Sequence, residues 1–252
     1  MTRSVDLNAD MGEGFGPWPM GNDAALLDIV SSANIACGFH AGDPVTMGRT
    51  MDLALAAGVA IGAHPGFADL QGFGRRRIPL SGPELTHMIQ YQLGAAMALA
   101  QARGARLAHV KLHGALSNMA SENLEMATTC YRAALAVQPD LTLVVMPQTA
   151  LEQAARDLGA ATASEVFADR SYNDDGTLTD RSQRGAMIHD PQVAADRIVA
   201  MLRDGGITTT GGKLLRVPID TICVHGDGDA ALAIARQLAA SLDAAGYKIA
   251  AP

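Results

Sequence analysis

The chain has 252 residues, 19 Lys and Arg against 26 Asp and Glu, and a net charge of −7. That length favours one large domain over two and is common for a (β/α) barrel, while the acidic balance argues against a nucleic-acid-binding protein. No apolar run approaches a membrane span, no signal-peptide core follows the N-terminus, and three Cys without CxxC or zinc-finger spacing fit a reducing cytoplasm.

Read in chain order, residues 3–10 form a first strand and 12–22 a Gly/Pro/aromatic loop, followed by a helix over 23–31 with Asn22 as its N-cap. Residues 33–38 form a second strand. Asp43-Pro44 opens a helix that stops at Gly58. A third strand covers 59–64, and 65–80 is too long and irregular for a simple turn, so it is expected to be functional or mobile. Ser81-Gly82-Pro83-Glu84 has capping-box spacing at the head of a helix reaching Ala102. Then come a strand at 107–112, a helix at 121–137, a strand at 141–146, a helix from Pro147 to Leu158 and a strand at 161–168. A second long loop (169–185) precedes a helix from Pro191 to Arg203, a short strand or hairpin within 213–219, a strand at 220–225 and a last helix at 228–245. The pattern is α/β: about seven β/α repeats, a TIM-like (β/α) barrel over 1–252 as a single catalytic domain.

In such a barrel all strand C-termini converge on one face, and here the apolar runs end in polar residues. VDLNADMGEG carries Asp6, Asn8, Asp10 and Glu13, NIACGFHAGD carries His40 and Asp43, and VAIGAHPG ends in His64. HVKLHGAL holds Lys111 and His113, SEVFADRSY holds Glu165, Asp169 and Arg170, and TICVHGDGD holds His225, Asp227 and Asp229. A structural protein has no reason to gather ionisable groups there, so an enzyme is expected.

Alternation puts Asp6, Asn8 and Asp10 on one face of a strand, as either a polar interior network or a substrate, base or metal set. Asp10, nearest the C-terminal end, is the better catalytic candidate. Asp10 with His40 and His64 makes the minimum ligand set for a divalent metal, although no HExxH is present. The same residues also suit metal-free acid/base work. Lys111 beside His113 can hold an oxyanion or phosphate while His113 moves a proton, or can pair with Asp6 or Glu165. Arg170 and Arg181 suit a carboxylate ligand. HGDGDAA fits a dinucleotide fingerprint only formally, because Asp227 and Asp229 repel a pyrophosphate, and no Walker A or GxSxG motif occurs.

The blocks DLNADMGEGFG, SANIACGFHAGDP, GVAIGAHPGFADLQGFGRR, VKLHGAL, ASEVFADRSYNDDGTLTDRSQRGA and DTICVHGDG, in this order, resemble the LamB/YcsF family from about residue 4 to 248. The resemblance implies an irregular barrel similar to glycoside hydrolase and deacetylase barrels. It implies ATP-dependent opening of the 5-oxoproline (pyroglutamate) lactam to L-glutamate, shared with partner subunits B and C, to which the ATP chemistry is assigned in part. The chain departs from the family pattern at Leu112, where Pro is usual, and at Ser117, where Tyr is usual.

On that reading Asp10 or Glu13 is the base on water, and Lys111 holds phosphate or oxyanion. His40, His64 and His113 shuttle protons or bind a metal, with Asp10, His40 and His64 as the metal candidates. Asp6, Asn8, Glu165, Asp169, Arg170, Arg181, His225 and Asp227 contact substrate. The loops at 65–80 and 169–185 are expected to cover the mouth. The alternatives are a stand-alone metal-dependent deacetylase or amidohydrolase using Asp10, His40 and His64, and, ranked last, a ligand-binding protein without turnover.

Overall fold

The computed structural model describes residues 3–224 and 229–252, and the side chains of Asp229 and Ala230 are not included. β1 (Arg3–Met11), β2 (Ser32–Ala36), β3 (Ala60–His64), β4 (His109–Val110), β5 (Thr142–Val145), β6 (Thr162–Phe167) and β9 (Thr221–Val224) are parallel and hydrogen-bonded in that order, and β9 pairs back onto β1. The result is a closed seven-stranded barrel. Outside it lie an antiparallel hairpin, β7 (Gly206–Thr208) and β8 (Leu214–Arg216), and β10 (Tyr247–Ile249), which pairs with the first residues of β1. The helices are α1 (Asp23–Leu27), α2 (Pro44–Ala56), α3 (Gly82–Gln101), α4 (Gly114–Glu122), α5 (Leu124–Val137), α6 (Ala150–Asp157), α7 (Pro191–Asp204) and α8 (Asp229–Ala244). Among the described residues no helix is long and apolar enough to cross a membrane.

The expected caps are present. Asn22 accepts from Ala25 N at 3.3 Å, Asp43 accepts from Val45 N at 2.8 Å, and Glu84 reaches back to Ser81 N at 2.8 Å. Other boundaries differ from the sequence expectation. The helix expected over 23–31 stops at Leu27, where the chain turns to feed Ser31 into the barrel; Ser31 N donates to Leu7 O. The helix expected at 121–137 is α5, which starts at Leu124, and a further helix, α4, precedes it; Asn123 ends one and caps the other. α4 escaped notice because Ser117 and Asn118 are weak helix formers. Its start is set by His113 and by Ala115 N donating to Gly74 O across the chain. Thr149 rather than Pro147 starts α6, and β7 and β10 carried no clear strand signal.

Alternation in β1 divides two environments. Leu7, Ala9 and Met11 join the apolar core beneath the helices, while Asp6, Asn8 and Asp10 face the barrel interior. Paired residues on parallel strands share a face, so the register Asp10–Asn34, Asn34–Gly62, Gly62–His109 sets one interior level. Gly62 supplies its lack of a side chain: a Cβ there would fall inside the His109 imidazole. His109 uses the space to bond Asn34 Oδ1 at 2.8 Å. Gly62→Ala is therefore expected to destabilise the fold by about 1–3 kcal/mol in urea unfolding, through overpacking. Adding His109→Ala to the same chain should recover part of the loss, and full stability of the single variant would refute this account of the interior.

Candidate active site

A hydrogen-bonded column runs up the inside of the barrel. At its lower end the Asp6 carboxylate accepts from Ser31 Oγ (2.6 Å), Ser32 Oγ (2.7 Å) and Thr221 Oγ1 (2.5 Å). One step higher, Asn8 donates to Glu165 Oε1 (3.1 Å) and Thr221 Oγ1 (2.6 Å) and accepts from Asn34 Nδ2 (2.7 Å). At the top, Asp10 Oδ1 accepts from Asn34 Nδ2 (2.9 Å) and Lys111 Nζ (3.0 Å), and Asp10 Oδ2 stands 3.4 Å from His64 Nε2.

Lys111 ties the column together. Its Nζ lies 2.7 Å from Glu165 Oε1, 3.0 Å from Asp10 Oδ1, 2.9 Å from Cys223 Sγ and 3.3 Å from Asn8 Oδ1. Burial pushes the ammonium toward neutrality, but Asp10 above all, with Glu165, reverses that and holds it well above its ordinary 10.5. Burial raises the Cys223 thiol well above its usual value, so a neutral sulfur lies beside the cation. His109, two residues before Lys111 in the chain, is pushed to about 3 by burial and by Lys111, and is a neutral hydrogen-bonding ring.

Above the column three imidazoles come together at strand ends. His40 follows β2, His64 ends β3 and His113 caps α4. His40 and His113 stack with centroids 3.6 Å apart, and His64 meets both edge-on. His64 Nε2 is 3.0 Å from His113 Nδ1, and Glu13 Oε1 lies 3.8 Å from His40 Nε2 and 3.9 Å from His113 Nδ1. One donor atom from each of Glu13, His40, His64 and His113 falls within 4.8 Å of all the others, all four residues are buried, and the cluster can hold a divalent metal. Compared with the sequence candidates, this set keeps His40 and His64, includes His113, expected to shuttle protons or bind a metal, adds Glu13, and leaves Asp10 beside it.

The loop at 65–80 holds this arrangement from above. Gly66 exchanges two 3.0 Å hydrogen bonds with the buried Gln92 of α3, and Asp69 bonds Gly72 N and the Arg76 guanidinium. Phe73 is held at φ 53°, a region that costs a non-glycine residue on the order of 1–3 kcal/mol. That conformation aims its carbonyl at His113 Nε2, 2.8 Å away.

A cavity of about 620 Å³ opens over the site, lined by Asp10, Glu13, His64, Lys111 and His113 and by arms from both long loops, among them Phe73, Arg75, Arg170 and Arg181. Leu112 and Ser117, the positions that depart from the family pattern, also line it. Arg170 is buried, with Nη2 on Thr179 O at 2.7 Å and an Nε that makes no hydrogen bond among the described residues. Burial pulls its guanidinium below the ordinary arginine value. Of the sequence-expected residues, Asp6, Asn8 and Glu165 sit within the column below the cavity, Asp169 is buried next to Arg170 without lining it, and His225 and Asp227 lie outside the described residues. Asn34, His109, Gln92 and Arg75 escaped the sequence reading. An Asn in an apolar strand and a Gln on a helix's apolar face were the available signals.

A closed parallel barrel with carboxylates, imidazoles and a lysine at its C-terminal mouth has the layout of a (β/α)-barrel enzyme. The profile of the LamB/YcsF family matches residues 5–252, and the chain belongs to that family. It is 56% identical over 251 residues to the 5-oxoprolinase A subunit of Ruegeria pomeroyi, covering 100% of this chain and 99% of that one. The crystal structure of a lactam utilization protein from Thermus thermophilus superposes with TM-score 0.94 at 42% identity, over 99% of this chain and 100% of that one. A family 4 carbohydrate esterase from Streptomyces lividans gives TM-score 0.53 at 12% identity, over 98% and 91%, a likeness of fold. The expected irregular, deacetylase-like barrel of about seven strands is thus the observed one.

Lys111→Met leaves Asp10 and Glu165 buried without their cation and should cost about 3–5 kcal/mol in urea unfolding. Lys111→Met/Glu165→Gln should cost less than the single change, and strict additivity would sink the ion-pair account. Because the folded pKa of Lys111 is raised, its contribution is fully present below 10.5 and is lost only as pH rises through the folded value.

Proposed function

We propose that this chain is the A subunit of an ATP-dependent 5-oxoprolinase, working in the cytoplasm with 5-oxoprolinase subunits B and C to open 5-oxoproline to L-glutamate. The observation that carries the reading is identity of 56% over essentially the full length of both chains with a 5-oxoprolinase A subunit. The site supports it: a cavity of about 620 Å³ suits a small ligand, with buried carboxylates at its floor and arginines at its wall. Three free, buried cysteines agree with a reducing compartment.

A five-membered lactam is a stable amide, so opening it needs coupling. Transfer of the ATP γ-phosphoryl group to the amide oxygen gives ADP and an imidate-like phosphate. Water adds to that carbon as its proton passes to a carboxylate. Collapse expels the amine with cleavage of the C–N bond, and hydrolysis of the acyl phosphate leaves glutamate and phosphate.

Asp10 is the base we favour, because its Oδ2 faces the cavity side of His64 while Oδ1 is fixed by Asn34 and Lys111. Glu13, beside His40 and His113, serves that cluster instead. The Lys111 ammonium has its hydrogens committed to Glu165, Asp10 and the Cys223–Asn8 pair, so it acts by keeping Asp10 ionised and in place rather than by holding an oxyanion. Arg170 and Arg181, both on the cavity wall, hold the substrate carboxylate.

The test is glutamate release from 5-oxoproline by the purified chain, alone and with subunits B and C, with and without ATP. Turnover is expected only with partners and ATP. Asp10→Asn should lower kcat about 10²–10⁴-fold, and Arg170→Met should act mainly on KM. ATP-independent amide hydrolysis by the chain alone would overturn the proposal in favour of a stand-alone amidohydrolase.

A further inference from the structure

We infer that this chain has a metal site of its own, in which His40, His64, His113 and Glu13 bind one divalent ion of the zinc class. His64 Nδ1 lies 2.8 Å from the Lys111 carbonyl, and His113 Nε2 lies 2.8 Å from the Phe73 carbonyl. A carbonyl oxygen only accepts, so each of those nitrogens carries its ring's proton. The other nitrogens, His64 Nε2 and His113 Nδ1, then present lone pairs, and they face each other at 3.0 Å. Two lone pairs that close repel unless a cation, either a proton or a metal ion, lies against both.

Several observations favour the metal ion. His40 is buried, and neither of its ring nitrogens has a hydrogen-bond partner among the described residues, a costly state for an imidazole in which ligation would satisfy one of the two. The separations fit as well. Nitrogen and oxygen ligands at about 2.0–2.2 Å around a tetrahedral ion sit roughly 3.3–3.6 Å apart, and the pairs here are 3.0, 3.8 and 3.9 Å.

For two of the ligands the outer shell has the form a metal centre needs, with the His64 and His113 rings fixed through their other nitrogens by backbone carbonyls. Two glycines let backbone close over the rings. A Cβ on Gly66 would lie 2.6 Å from His40 Nδ1, and one on Gly74 would lie 2.7 Å from His40 Cβ and 2.8 Å from His113 Cδ2. Gly74 is at φ +62°, which also favours glycine. Since Glu13, His64 and His113 line the cavity, the ion would be reachable by substrate with Asp10 next to it. At such a position an ion lowers the pKa of bound water or polarises a carbonyl. The inference rests on this geometry and not on the identity of the substrate.

The experiment uses the untagged full chain, stripped with a chelator, exchanged into metal-free buffer and titrated with Co²⁺ by calorimetry and visible absorption. One Co²⁺ per chain is expected, with a rise in melting temperature. His40→Gln and His113→Gln should each weaken binding at least about 100-fold, since loss of an outer-shell partner alone costs 10–100-fold. His87→Ala and His189→Ala, both away from the cluster, should leave it unchanged. Absence of stoichiometric uptake by the folded wild-type chain, or uptake indifferent to both Gln variants, overturns the site. Should the variants fail to fold, ¹⁵N spectra of the wild-type imidazoles with Zn²⁺ decide the matter. Shifts at His64 Nε2 and His113 Nδ1 support ligation, whereas a persistent proton between them means that a shared proton fills the gap and overturns the site. None of these readouts depends on 5-oxoproline turnover, so a failed activity assay leaves the metal result standing.

Discussion

The barrel is built around a polar interior that has to be satisfied. Most closed parallel barrels fill their interior with branched apolar side chains. Here Asp6, Asn8, Asp10, Asn34, His109, Lys111, Glu165 and Thr221 occupy it, all nearly inaccessible to solvent. Burying such groups costs several kcal/mol each unless their hydrogen bonds are met, and each finds partners on neighbouring strands. The single ammonium of Lys111 bridges carboxylates from β1 and β6, the two strands that flank β9, so the electrostatics and the closure of the sheet depend on each other.

The reactive mouth inherits its precision from this column. Asp10 is held by Asn34 and Lys111 on one oxygen and presents the other toward His64. Backbone carbonyls fix the tautomers of His64 and His113, and one of those carbonyls belongs to Phe73, whose left-handed backbone is held by the pinned 65–80 loop. Strain stored in that loop and the bare backbone at Gly66 and Gly74 bring three imidazoles closer together than any single element would. A site of this kind belongs on rigid strand ends, with loops supplying Arg75, Arg170 and Arg181 around it.

Much of this was legible in the chain. Alternating strands and helices, the caps at Asn22, Asp43 and Ser81, and the run of polar residues at strand ends are local signals with periods of 2 and 3.6 residues. They specified an α/β barrel and placed Asp10, His40, His64, Lys111 and His113 at its mouth. Less was legible where local preference and tertiary demand disagree. α4 begins because His113 and Gly74 anchor it, and the two residues of β4 in the ladder are fewer than its apolar run suggested.

The sequence by itself determined which residues alternate into the barrel, because side-chain direction along a strand follows from backbone geometry alone. Only the tertiary structure decided what those residues became. Asp6 and Asp10 are equivalent in pattern, yet one is enclosed by three hydroxyls below the cavity and the other faces the imidazoles. Glu13, His40, His64 and His113 are scattered along the chain from the end of β1 to the start of α4 and form one cluster. Their convergence depends on the register between the neighbouring strands β1, β2, β3 and β4, which no local period encodes.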